Sequence, residues 1–205
     1  MIRIVGLSAT LPNYVDVADF LRVSRQSGLF YFDSSFRPVP LKQHFLGLRG
    51  KPGSAQARKI LDSVTYEKVL QLVEKGHQVM VFVHARKETV KSAFALRDAA
   101  SAEEVIDKFS CRGHPQWEFF RREIGSSRNR EMRELFDLGF GIHHAGMLRS
   151  DRNLVEKLFD AKAIKVRIQR RSLYLPSLER LTGSVLYSNT CLGCQSTCTC
   201  WSVQY

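Results

Sequence analysis

The stretch Gln78-Val79-Met80-Val81-Phe82-Val83-His84 decides how this sequence is read. Five consecutive apolar residues, three of them valine, suit a strand, and only a sheet covered on both faces keeps all five from water. Upstream, Ile60, Leu61, Val64, Val69, Leu70 and Val73 recur at helical spacing until Gly76 stops the pattern. Downstream, Val90, Ala93, Phe94 and Leu96 alternate with charge from Lys87 to Ala100. The unit reads as helix, strand, helix.

The same grammar continues outward. Ser101-Ala102-Glu103-Glu104 fits a capping box before Val105, Ile106 and Phe109, and Cys111 to Gly125 shows no clear period. Met132, Leu135 and Phe136 mark a further helix, and Phe140-Gly141-Ile142-His143-His144 a second strand. Ser150 is placed to cap a helix with Leu154, Val155, Leu158 and Phe159 on its apolar side, and Ile164-Lys165-Val166 opens a third strand. Alternating strands and helices predict an α/β fold, a parallel sheet with helices on both faces. Toward the N-terminus, Ile2 to Leu7 and Leu29 to Phe32 read as short strands, and Val15 to Leu21 as a short helix. A buried strand needs neighbours on both sides, so a chain that opens on one is expected to be part of something longer. Phe36-Arg37-Pro38-Val39-Pro40-Leu41 predicts an extended connector, because each proline fixes its own φ and bars helix before it.

Past Val166 the pattern fails. A third core strand should continue apolar, yet Arg167, Gln169, Arg170 and Arg171 follow, and the Ser-, Thr- and Cys-rich remainder has no sustained period. The sheet is therefore expected to be incomplete, with an irregular, disordered C-terminal tail over 167–205.

The 205 residues are 44% hydrophobic and 25% charged, which excludes wholesale disorder. No apolar run approaches the roughly 18–20 residues of a membrane span, so no membrane partner is expected. The first residues lack a basic segment followed by an apolar one, which predicts a nuclear or cytoplasmic chain. The net charge of +11 favours a polyanionic partner, with +8 on residues 1–166 and +3 on the tail.

In a parallel sheet, ligands collect at the carboxyl ends of the strands. Three loops lie there: Ser8 to Asn13, His84 to Thr89 and His143 to Arg149. Ser8 and Thr10 offer hydroxyls, and Arg86 with Lys87 at a helix start can hold a phosphate. Each feature alone is ordinary turn material or a solvated helix end. Two metal readings are weaker. Cys191, Cys194, Cys198 and Cys200 put four thiols within ten residues, a candidate zinc cluster, but zinc hooks are usually separated by about a dozen residues or more. A fortuitous run of cysteines is the stronger reading. His143 and His144, adjacent in a strand, point to opposite faces and cannot easily share one ion.

Four blocks in order are far more specific than any one of them. Gly6-Leu7-Ser8-Ala9-Thr10-Leu11-Pro12-Asn13, Phe36 to Leu41, Val81-Phe82-Val83-His84-Ala85-Arg86-Lys87, and Ile142-His143-His144-Ala145-Gly146-Met147-Leu148-Arg149 followed by Asp151-Arg152 resemble the superfamily 2 DExH helicases of the superkiller-like group. Within that group the resemblance is first to helicases of the activating signal cointegrator 1 complex and second to those of the spliceosomal U5 particle. It covers about residues 1–166. It implies that 1–32 end a first RecA-like domain, that 33–54 connect, and that 55–166 form the N-terminal two thirds of a second. It implies that Ser8, Ala9 and Thr10 couple nucleotide state to strand grip. It also implies that His84, Ala85, Arg86 and Lys87, with His143, His144, Ala145 and Gly146, lie along the bound strand.

The resemblance implies ATP and Mg²⁺ as cofactors of the family and single-stranded nucleic acid, DNA or RNA, as partner. Subunits of the activating signal cointegrator 1 complex are partners it suggests. The departures are equally specific. The sequence contains no Gly-x4-Gly-Lys-Ser/Thr loop to cradle phosphates and no Asp-Glu-x-His block, and Arg167 to Arg171 stand where the next helicase motif should begin. The expectation is a part of an ATP-dependent helicase that does not hold ATP productively by itself. The alternative is a motor-dead interaction module that binds the partners of the full helicase.

Overall fold

The computed structural model describes residues 3–8, 11–36, 41–47, 54–170, 184–187 and 198–204. The chain divides into two compact units, residues 1–40 and 41–205.

In the first unit, helix α1 (Tyr14–Phe20) buries only Ala18. The two strands expected here are not present: residues 3–8 and 29–32 have no regular structure. Ile4, Val5, Leu7, Phe30, Tyr31 and Phe32 are exposed. An apolar run becomes a strand only when a neighbour completes its hydrogen-bond ladder, and no described strand pairs with either segment. The aromatics pack locally instead, with Tyr14 stacked on Tyr31 at 4.7 Å and Phe32 edge-on to Phe36 at 5.2 Å.

The second unit runs β1 (Leu41–Gly47), α2 (Ala55–Glu74), β2 (Val79–Val83), α3 (Arg86–Ala102), α4 (Trp117–Gly125) and α5 (Arg130–Phe136), then β3 (Phe140–His143), α6 (Arg149–Asp160), β4 (Val166–Arg170), β5 (Ser184–Tyr187) and β6 (Cys198–Gln204). Four strands form one parallel sheet in the order β3-β4-β2-β5. β1 pairs with β6 as a separate antiparallel ribbon, so the expected connector contributes a strand. All five side chains of β2 are buried.

Both faces of the sheet are covered, and the topology explains how. The crossover from β2 to β3 skips past β4, and the one from β3 to β4 returns, so two right-handed connections must lie on opposite faces. Val81 and Val83 of β2 face α2 and α3, where they share a cavity of about 230 Å³ with Tyr66 and Leu96. On the other face, Arg167 of β4 lies beside Met80 and places its guanidinium 4.9 Å from the Phe159 ring of α6. This is a RecA-like arrangement of sheet and helices.

Helix ends follow from local chemistry. Ser54 Oγ accepts from Ala57 N–H at 3.2 Å to start α2, and Gly76 leaves it at φ +81. Two expected caps are corrected. Ser101 and Ala102 belong to the last turn of α3, which closes through Glu104 at φ +56, because Leu96 and Ala100 keep that turn on the core. Glu103 instead accepts the Tyr66 hydroxyl at 2.8 Å, tying α3 to α2. At α6 the cap position is Leu148 and Ser150 lies inside the first turn. Asp151 is buried there and accepts the Ser127 hydroxyl at 2.9 Å. The segment without a sequence period contains α4, which buries Trp117, Phe120 and Ile124, and Trp117 stacks on Phe136 of α5.

β4 corrects the expectation that a core strand must stay apolar past Val166. The strand runs to Arg170 between β2 and β3, held by backbone bonds that do not depend on side-chain type. Its cost is visible. Arg167 and Gln169 are 4% and 5% exposed, and Arg167 Nε and Gln169 Oε1 have no hydrogen-bond partner. Burial lowers the Arg167 pKa. Of the tail cysteines, Cys198 and Cys200 lie in β6, while Cys191 and Cys194 fall outside the described residues.

Two substitutions test this packing. Gly139 sits at φ +82, where a Cβ would overlap the Phe109 carbonyl, a backbone group that cannot swing aside. Gly139→Ala should cost about 2 kcal/mol or more. Arg167→Leu should stabilise by about 1–3 kcal/mol, since an apolar chain replaces a buried guanidinium that feels the charges of Glu156 and Asp160 but forms an ion pair with neither. Urea unfolding reads both, and a destabilised Arg167→Leu protein would contradict the assigned burial.

Candidate nucleic-acid interface

The carboxyl ends of β2 and β3 open into two loops on the same edge of the sheet. After β2, His84 and Ala85 lead into α3. The Ala85 N–H donates to the Glu88 carboxylate at 3.2 Å, and Glu88 N–H returns to the Ala85 carbonyl at 3.1 Å. This closes the helix start without a hydroxyl cap. His84, Ala85, Arg86 and Lys87 are all exposed.

After β3, the loop is braced from inside. His143 Nε2 lies 2.8 Å from Glu156 Oε1 of α6. His144 is buried, and its Nδ1 accepts the Gly146 N–H at 3.2 Å. Met147 N–H donates to the His144 carbonyl, completing a tight turn with Ala145 and Gly146 exposed at its tip. The two imidazoles therefore diverge, and among the described residues no group of three or more His, Cys, Asp or Glu could hold a metal.

The two loops meet at one point. Arg86 Nη2 donates to the Gly146 carbonyl at 3.4 Å across sixty residues of sequence. A Cβ on Gly146 would overlap the Arg86 guanidinium, so the missing side chain gives Arg86 its seat. The electrostatics follow from this contact. Burial, then the neighbouring Arg86, lowers the His144 pKa. Burial and Arg167 lower that of His143 against the opposing pull of Glu156. Both imidazoles are thus neutral at pH 7 and act as hydrogen-bonding braces, so Arg86 and Lys87, with the exposed Arg149 at the end of the second loop, carry the positive charge of this edge.

Of the expected coupling block, Ser8 is exposed, and Ala9 and Thr10 lie outside the described residues. Sequence reasoning missed Glu88 and Glu156, which position the loops. Glu88 was visible as an acidic residue three places past a helix start, a spacing hidden by the alanine at the cap. Glu156 carried no local signal, since its partner, His143, lies 13 positions back at the end of β3.

Comparison with known proteins gives consistent relatives. The chain is 55% identical over 167 residues to the RQC trigger complex helicase SLH1 of Saccharomyces cerevisiae. It is 51% identical over 166 residues to the DExH-box ATP-dependent RNA helicase DExH14 of Arabidopsis thaliana and 53% identical over 167 residues to Activating signal cointegrator 1 complex subunit 3 of Homo sapiens. Over these matched residues the chain is homologous to DExH helicases of the superkiller-like group. Each match covers 81% of this chain and 8% of the relative, so the chain spans about a twelfth of the length of the helicases it matches. No family model matches it.

The sequence contains no Gly-x4-Gly-Lys-Ser/Thr loop.

The contact between the loops makes a specific expectation. Gly146→Ala should leave stability within about 0.5 kcal/mol, because the group it displaces is the end of a flexible, exposed side chain. It should at the same time shift the backbone amide resonances of Ala85 to Glu88. Unmoved amides, or a loss as large as that at Gly139, would contradict the contact.

Proposed function

We propose that this chain is the strand-gripping part of a DExH helicase, binding single-stranded nucleic acid through its phosphates without reading sequence. The observation that carries the reading is the Arg86 to Gly146 contact, which joins the β2 and β3 loops into one cationic edge. Arg86 and Lys87 supply charge at the start of α3, a 17-residue helix whose N-terminal amides face the same way. His143 and His144 stay neutral and hold the second loop in shape. Such a surface binds any single strand, and its affinity falls with salt as counterions are released.

The whole helicase would couple this grip to ATP hydrolysis and unwinding. DExH14 is named as an RNA helicase, which favours RNA as the strand. Activating signal cointegrator 1 complex subunit 3 is named as part of a complex, which favours the other subunits of that complex as partners. The chain by itself is proposed not to hydrolyse ATP. A second reading, an interaction module without motor activity, has one specific support: Phe20, Phe30, Tyr31, Phe32 and Phe36 of the first unit are all exposed.

Fluorescence anisotropy of a labelled oligouridine of about 15 nucleotides tests the reading. Two to four phosphate contacts predict that log affinity falls against log salt with a slope of about −1.5 to −3. The same protein should release no phosphate from ATP, with or without the strand. Salt-independent binding, no binding, or strand-stimulated hydrolysis would each overturn part of the proposal.

A further inference from the structure

We infer that the cleft beside the β3 loop is a further phosphate subsite, in which Arg128 and Arg130 continue the path of a single strand that starts at Arg86. The inference rests on the reading of the loop edge as a single-strand interface and adds two residues, Arg128 and Arg130, outside the four blocks that carry the resemblance.

The cleft has a volume of about 430 Å³ and is lined by Arg128, Arg130, Gly146, Met147 and Leu148, with Glu131 and Asp151. Gly146 belongs to both places. Its carbonyl takes Arg86, and its backbone forms one wall of the cleft, so a chain leaving Arg86 enters the cleft directly.

At the solvent face of the cleft two guanidinium groups stand against one carboxylate, Glu131, because the second carboxylate, Asp151, is buried beneath them. Asp151 is buried and spends one carboxylate oxygen on the Ser127 hydroxyl. Ser127 Oγ also accepts the Asn129 N–H at 3.1 Å, and Asn129 Oδ1 accepts the Met132 N–H at 3.0 Å. These bonds fix the segment that carries Arg128 and Arg130 on either side of Asn129. Both arginines are exposed, and neither forms an ion pair among the described residues. Glu131 is the one exposed carboxylate of the lining, set against two guanidinium groups. Leu148 is 61% exposed beside them, an apolar surface suited to a sugar or base edge while the arginines hold phosphate. Arginine matches a phosphate with two parallel donors, which a lysine in the same place would not.

The test is the salt dependence of oligouridine binding by the full chain. Removing two phosphate contacts in R128Q/R130Q should weaken binding about tenfold at low salt and make the log–log slope shallower by about 1.4. R128K/R130K, which keeps both charges, should restore the slope. R121Q/R122Q on α4 removes the same charge outside the cleft and should leave the slope unchanged. Binding by R128Q/R130Q equal to that of the unaltered chain would overturn the subsite and leave the loop interface standing. An equal loss in R121Q/R122Q would overturn it in favour of diffuse attraction. No binding by the unaltered chain would overturn both readings.

Discussion

Everything in the second unit depends on keeping five consecutive side chains of β2 out of water on both faces. A strand buried on one face tolerates alternation, but Val79, Met80, Val81, Phe82 and Val83 need a roof and a floor. α2 and α3 supply one, and α6 supplies the other through the reversal of direction between β3 and β4. The parallel pairing puts the carboxyl ends of β2 and β3 on the same edge, and the reversal sets them on either side of β4. The loops that meet there follow from a packing requirement. The core fixes where the chemistry can be.

Much of this was legible because the signals were local. The apolar run of β2, the period of α2 and α3, and the loop after β3 all lie within short windows, and the structure has them where the sequence puts them. What was not legible depended on partners. Residues 3–8 and 29–32 look like strands in isolation but find no ladder among the described residues. β4 shows the reverse. Arg167 and Gln169 look wrong for a core, yet two neighbouring strands hold the backbone in line regardless. Ser101 and Ser150 look like caps, but burial of adjacent side chains carries each helix past them.

The site divides in the same way. Each loop could be read from its own residues, whereas the contact that unites them spans sixty positions and leaves no trace in spacing. Gly146 was visible only as a motif glycine, and the structure gives its reason: the space above its Cα is filled by Arg86. The histidines were read alongside the arginines as strand contacts. Their partners, Glu156 and the Gly146 amide, and the burial that keeps them neutral, make them the braces of a surface whose charge lies elsewhere.

The central claim is that the β2 and β3 loops form one surface for one strand. Backbone amide resonances followed through a titration with oligouridine test it most directly. The account predicts that His84 to Glu88 and His143 to Leu148 shift together and saturate at one common dissociation constant. Shifts confined to one loop, or the largest shifts in the α2–α3 cavity, would contradict it.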